Sequence, residues 1–142
     1  MENITIFIQH HWMLCLIFVI LAILVFIFEA IFGQQAAKNR LSPQETVQLM
    51  NKDEAIVVDI RSRDAFVRGH IIHSVHLPLA DLEKDLKKIT QYKHKTIIVV
   101  CAQGVESNKA VKIIEENEFP EVKILKGGIA AWRADKLPLE NN

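Results

Sequence analysis

Two regimes of hydrophobic patterning divide the chain. Over residues 12–32 nearly every position is apolar, and no charged side chain stands between Glu2 and Glu29. Past Arg40, short apolar runs alternate with stretches whose apolar residues recur every three or four positions. The first regime spans 21 residues, about 31 Å of α-helix, the thickness of a bilayer core. Thirteen residues within 14–28 are Leu, Ile, Phe or Val, and together they favour membrane insertion by about 4–8 kcal/mol. Glu29 opposes insertion, but near the end of the stretch water is close and its cost stays below the midplane value. A core helix of a soluble protein is seldom apolar on every side. A secretory signal carries a basic n-region, and the first eleven residues hold no Lys or Arg. The pattern predicts one transmembrane helix over 12–32, after a short extracytoplasmic N-terminus (1–11) and before a polar linker (33–40). His10 and His11 then fall at the membrane edge as interfacial residues. Lys38 and Arg40 flank the span on its C-terminal side, so the positive-inside bias directs residue 33 onward to the cytoplasm.

Residues 41–142 read as alternating strand and helix. Ser42-Pro43-Gln44-Glu45 is a capping box with proline at the first helical position. It predicts a helix to about Met50, with Val47, Leu49 and Met50 inward. Ala55–Asp59 and residues 74–77 are short runs of strand type, the second stopped by Pro78. Leu79, Leu82, Leu86 and Ile89 recur at helical spacing. Thr96–Val100 is a β-branched run suited to burial on both faces of a sheet. A helix is predicted over 107–119 with Val111, Ile113 and Ile114 inward. A strand follows over Val122–Leu125, then a break at Gly127-Gly128 and a last helix over 129–134. Strands separated by helices imply an α/β domain, a parallel sheet flanked by helices.

Composition narrows the function. Lys plus Arg number 17, as do Asp plus Glu, so the formal net charge is zero. Removing Lys38 and Arg40 from the basic set, and Glu2 and Glu29 from the acidic set, leaves 15 of each in residues 41–142. A nucleic-acid surface needs a basic surplus, so no such partner is expected. Half the residues are hydrophobic, too many for a disordered chain. Two cysteines make no disulfide framework. Cys15 lies in the apolar stretch, which leaves Cys101 unpaired in the domain, as a reducing compartment allows. His70, His73 and His76 follow Gly69 and precede Pro78. A turn and a strand point them in mixed directions, and no metal site is expected. Glu83, Lys84, Asp85, Lys87 and Lys88 read as a solvated helix face. No cofactor is called for.

The chemistry concentrates at Cys101, which directly follows the most apolar strand, while Ser107 opens a helix six residues later. Open α/β sheets gather their sites at the carboxyl ends of strands. The loop Ala102-Gln103-Gly104-Val105-Glu106-Ser107 must turn sharply, and Gly104 permits unusual backbone angles. Such a loop can aim several amides at one point, and the helix start adds its positive dipole end. A thiolate there is stabilised and becomes nucleophilic, and the same amides can hold an oxyanion or a persulfide anion. The competing reading is a structural cysteine packed at a strand end. The reactive reading requires Cys101 to sit exposed within a ring of main-chain hydrogens. Asp59, ending a strand, is read as ordering loops through Arg61 or backbone amides, a structural ion pair rather than a catalytic one. Gly69, Gly127 and Gly128 are read as turns, Phe66 and Trp132 as packing.

These residues carry a resemblance. Asp59-Ile-Arg61, the stretch from Arg63 through Phe66, Gly69 and His70 to Ile71, and Leu77-Pro78 are followed by Cys101-Ala-Gln-Gly104-Val-Glu-Ser107. Leu125-Lys-Gly127-Gly128-Ile-Ala-Ala-Trp132 closes the series. The order is that of rhodanese-like domains, and the match spans nearly all of 41–142. With its anchor the whole chain resembles the bacterial single-span membrane rhodaneses. The resemblance implies a sulfurtransferase in which Cys101 carries sulfane sulfur as a persulfide and residues 102–107 form its amide cradle. Its partners are then a sulfur donor, a thiol acceptor (protein or small thiol), the lipid bilayer and a neighbouring membrane protein. One departure stands out. Thiosulfate-using rhodaneses usually place Arg or Lys in this loop, especially just before the Ser, where this chain has Ala102 and Glu106. A carboxylate at the rim repels a dianionic donor, so thiosulfate is expected to be a poor substrate. Related phosphatases hold phosphate with an Arg six residues after the Cys, where this chain has Ser107. With no second cysteine in the domain, sulfur leaves to an external acceptor. The alternative from another class is a catalytically weak interaction module on a rhodanese fold tethered to the membrane.

Overall fold

The computed structural model describes residues 11–141, with the backbone alone described for 32–38. It separates into two compact units, residues 1–38 and 39–142. Except for His11, the segment assigned to an extracytoplasmic N-terminus lies outside the described residues, as does His10.

The first unit contains one long helix, α1 (Trp12–Lys38). Its stretch Trp12–Ile31 is long and apolar enough, by length and composition, to cross a membrane. The helix runs past the apolar stretch and through most of the expected linker to Lys38. Gln34, Gln35, Ala36, Ala37 and Lys38 are all good helix formers, so winding continues after hydrophobicity ends.

The second unit is a five-stranded sheet covered on both faces. In chain order its elements are β1 (Arg40–Leu41), α2 (Pro43–Asn51), β2 (Ala55–Asp59), α3 (Arg63–Val67), β3 (Val75–His76) and α4 (Leu82–Asp85). They continue as β4 (Thr96–Val100), α5 (Ser107–Glu116), β5 (Val122–Leu125) and α6 (Gly128–Ala134). All strands pair in parallel in the order β1-β5-β4-β2-β3. In β4 the side chains alternate between two cores. Ile97, Val99 and Cys101 join the core under α4 and α5, while Ile98 and Val100 join the one under α2 and α6. That is why the run is uniformly apolar. The chain leaves β2 towards β3 on one side and β4 towards β5 on the other. The carboxyl ends of β2 and β4 therefore flank a topological switch point, where α/β folds place ligands.

Local chemistry explains most boundaries. Ser42 caps α2 through Oγ, and Glu45 returns its carboxylate to the Ser42 amide at 2.8 Å. On α2 the fully buried polar group is Thr46, while Val47, Leu49 and Met50 are half-buried beside the second core. The helix expected over 79–89 is instead one turn of α4 and two 3₁₀ turns, Leu86–Lys88 and Thr90–Tyr92. A spacing of three and four residues is met by either winding, and Leu82 and Ile89 are fully buried. The helix expected over 107–119 ends at Glu116 because Asn117 caps it and Glu118 turns left-handed at φ 64°. Ile113, expected inward, is only half-buried. β1 and α3 escape the hydrophobic pattern. β1 has two residues, and α3 is announced only by its Ser62 cap.

Candidate active site

Cys101 stands at the carboxyl end of β4, beside the end of β2, whose Ile60 amide donates to the Val100 carbonyl at 3.0 Å. Its loop closes tightly. Gly104, at φ 82°, turns its own amide back onto Cys101 Sγ at 2.9 Å. Burial pushes the thiol pKa up, but the Ser107 hydroxyl and the amides of Ser107, Gln103 and Gly104 outweigh it. The net result is a thiol held below its ordinary value. Ser107 Oγ is fully buried with no hydrogen-bond partner of normal geometry. Its hydrogen is free to rotate, so it acts on the sulfur as a dipole that turns towards a thiolate. Ser107 also opens the ten-residue α5, whose positive end faces the same way.

Not every expected part of the cradle converges. The amides that act on the sulfur belong to Gln103, Gly104 and Ser107, whereas Ala102, Val105 and Glu106 form the rim. The expectation of an exposed sulfur is corrected, since Cys101 is only 2% exposed. The loop that supplies the donors also covers the atom they address. What remains open is a hollow of about 150 Å³ lined by Cys101, Ala102, Gln103, Val105 and Glu106.

The loop is braced from below by the Gly127-Gly128 corner. The amides of Ile129 and Ala130 donate to the carbonyls of Cys101 (2.9 Å) and Ala102 (3.2 Å). Gly128, at φ 60°, comes so close that an added Cβ would lie within the contact radius of the Cys101 carbonyl oxygen. It would also lie 2.9 Å from the Ala102 carbonyl carbon and oxygen. Read as a turn alone, this glycine pair understates its role. The doubled Gly is visible in the sequence, but the approach to Cys101 is not.

Asp59 and Arg61 form a buried bidentate pair, 2.7 Å from Nη2 to Oδ2, and Nη2 also donates to the Gly69 carbonyl at 2.7 Å. The pair fixes the loop after β2, as expected of a structural ion pair, and β2–β4 pairing sets Asp59 opposite Val100, next to Cys101. His70 and His76 both stack on Phe66, and their ring nitrogens face the carbonyls of Phe66 and Arg61. His73 is exposed.

The sulfur-centred loop has counterparts in known proteins. The rhodanese-like domain model matches residues 42–135. An uncharacterized protein of Buchnera aphidicola from Acyrthosiphon pisum is 34% identical, matching 98% of this chain and 96% of its own. The uncharacterized protein YibN of Escherichia coli is 31% identical, with 98% and 97% covered. Thiosulfate sulfurtransferase GlpE of Coxiella burnetii is 30% identical over 95 residues, 67% of this chain and 87% of its own. Among solved structures, a rhodanese-related protein from Thermoplasma volcanium shares the fold with a TM-score of 0.66 at 21% identity, covering 73% of this chain and 99% of that one. With a family model across most of the chain and relatives matching almost its whole length, the protein belongs to the rhodanese-like domain family.

Proposed function

We propose that the protein is a membrane-anchored sulfurtransferase that carries sulfane sulfur as a persulfide on Cys101. The observation that carries this reading is the Gly104 amide 2.9 Å from Sγ, joined by the Gln103 and Ser107 donors that lower the thiol pKa. A thiolate is the competent nucleophile. It attacks the sulfane sulfur of a donor, the donor's S–S bond breaks, and the bonding pair leaves with the departing group, sulfite in the case of thiosulfate. The terminal persulfide sulfur then lies in the hollow beside the same donors. An acceptor thiolate attacks that outer sulfur, the bond to Sγ breaks, and Cys101 returns as thiolate. No cofactor takes part. The similarity to a thiosulfate sulfurtransferase supports the reaction class. Glu106 and Ala102 at the rim argue against thiosulfate itself as a good donor. The apolar helix α1 holds the domain at a bacterial inner membrane, and Lys38 and Arg40 direct it to the cytoplasmic side.

Mass spectrometry of the full chain after exposure to sulfane donors of different charge tests the reading. A gain of one sulfur on Cys101, absent in Cys101→Ala, is expected, and Glu106→Arg should raise thiosulfate:cyanide activity. A second reading, a tethered interaction module, is favoured by the 2% exposure of Cys101. It prevails if no donor loads the thiol and Cys101→Ala keeps the full cellular role.

A further inference from the structure

The hollow over Cys101 has a rim without any basic side chain: Ala102, Gln103, Val105 and Glu106. Arg61, the one buried Lys or Arg among the described residues, is neutralised by Asp59 at 2.7 Å. Glu106 is exposed and enters none of the ion pairs among the described residues. Beside it, Val105 is 72% exposed, the only large apolar side chain so presented outside α1 among the described residues. In the loaded site the protonated persulfide is neutral, and the carboxylate of Glu106 is the charge that an incoming acceptor meets at the rim. An anionic acceptor is repelled by it, whereas a cation beside the acceptor sulfur is attracted.

We infer that Glu106 makes the site select acceptor thiols that carry a positive charge next to the sulfur. The inference rests on the persulfide-carrier role proposed above. The acceptor thiolate attacks the outer sulfur of the protonated Cys101 persulfide and the Sγ–S bond breaks. Its electron pair stays on Sγ, and the acceptor leaves as a persulfide, with no net oxidation. Two sources share this chemistry: a small aminothiol, and a protein cysteine flanked by Lys or Arg whose body rests on Val105.

The test uses the full chain carrying Cys15→Ser in detergent micelles, loaded with inorganic polysulfide and freed of excess. Single-turnover loss of the persulfide is followed by mass spectrometry with cysteamine, 2-mercaptoethanol and 3-mercaptopropionate, each rate corrected for thiolate concentration. The expected order is cationic, neutral, anionic, with steps of about three- to five-fold, the Boltzmann factor for unit charges a few ångström apart near water. Glu106→Gln should flatten the order and Glu106→Lys invert it. Glu116→Gln should leave it intact, because ten residues of helix are about 15 Å, beyond the Debye length. Peptides with Cys between two Lys or two Glu distinguish the sources. A larger charge preference among peptides than among small thiols assigns a protein acceptor; an equal or smaller one assigns an aminothiol. Loading without charge order, or an order that survives Glu106→Gln, overturns the inference alone. If neither polysulfide nor any other sulfane donor loads Cys101, the carrier reading is overturned and this inference with it.

Discussion

Gly128→Ala offers the sharpest probe of how the fold holds its sulfur loop. The residue sits at φ 60°, and an alanine methyl would enter the space of the Cys101 and Ala102 carbonyls. The left-handed conformation costs an L-residue about 1–2 kcal/mol. Forcing a methyl into a close-packed contact costs about 1–3 kcal/mol more. The expected loss of about 2–5 kcal/mol is a large share of the 5–15 kcal/mol typical of a whole domain. The strain has a chemical consequence too. The segment pushed aside carries the Cys101 and Ala102 carbonyls, bound to Ile129 and Ala130, and moving it separates Sγ from the Gly104 amide at 2.9 Å. The thiol pKa should then rise. Urea unfolding of the full chain in detergent micelles measures the first effect. The pH dependence of Cys101 alkylation in a Cys15→Ser background measures the second. If Gly128→Ala costs no more than about 0.5 kcal/mol, the range of ordinary surface changes, and the alkylation midpoint stays put, the glycine corner does not brace the loop.

Two further outcomes follow from the same geometry. Ser107→Ala removes the hydroxyl dipole that helps hold the Cys101 thiol below its ordinary value. The thiolate is the reactive form, so the alkylation rate climbs as pH rises through the pKa. The variant's midpoint should lie at higher pH, with a slower rate at neutrality, and an unmoved midpoint would remove the Ser107 hydroxyl, though not its amide, from the cradle. Asp59→Asn leaves the buried Arg61 guanidinium without its counter-charge. Breaking one side of a buried pair costs about 3–5 kcal/mol, readable as a lower urea midpoint with Cys101 alkylation little changed while the protein stays folded.

The amino-acid order alone determines the elements whose cause is local. The apolar stretch of α1 needs only its composition, the start of α2 only the Ser42–Glu45 box, and β4 only a β-branched run without polar interruption. Cys101 is legible as a site because it ends such a run just before a helix, which places it at the carboxyl edge of any parallel sheet. Boundaries set by competition between windings were not legible, so the stretch over 79–89 became mixed α and 3₁₀ turns and α5 stopped at Glu116. What only the tertiary structure decided depends on the positions that atoms, near or distant in sequence, take once the chain has packed. Gly128 leaves no room for a Cβ beside a carbonyl 27 positions earlier. Gln103, Gly104 and Ser107, rather than all six loop residues, address the sulfur, and the same closure leaves Cys101 nearly covered. Periodicity records which face a residue turns to the core, but the direction of an amide and the depth of a thiol emerge only once the sheet, helices and glycine corner have packed together.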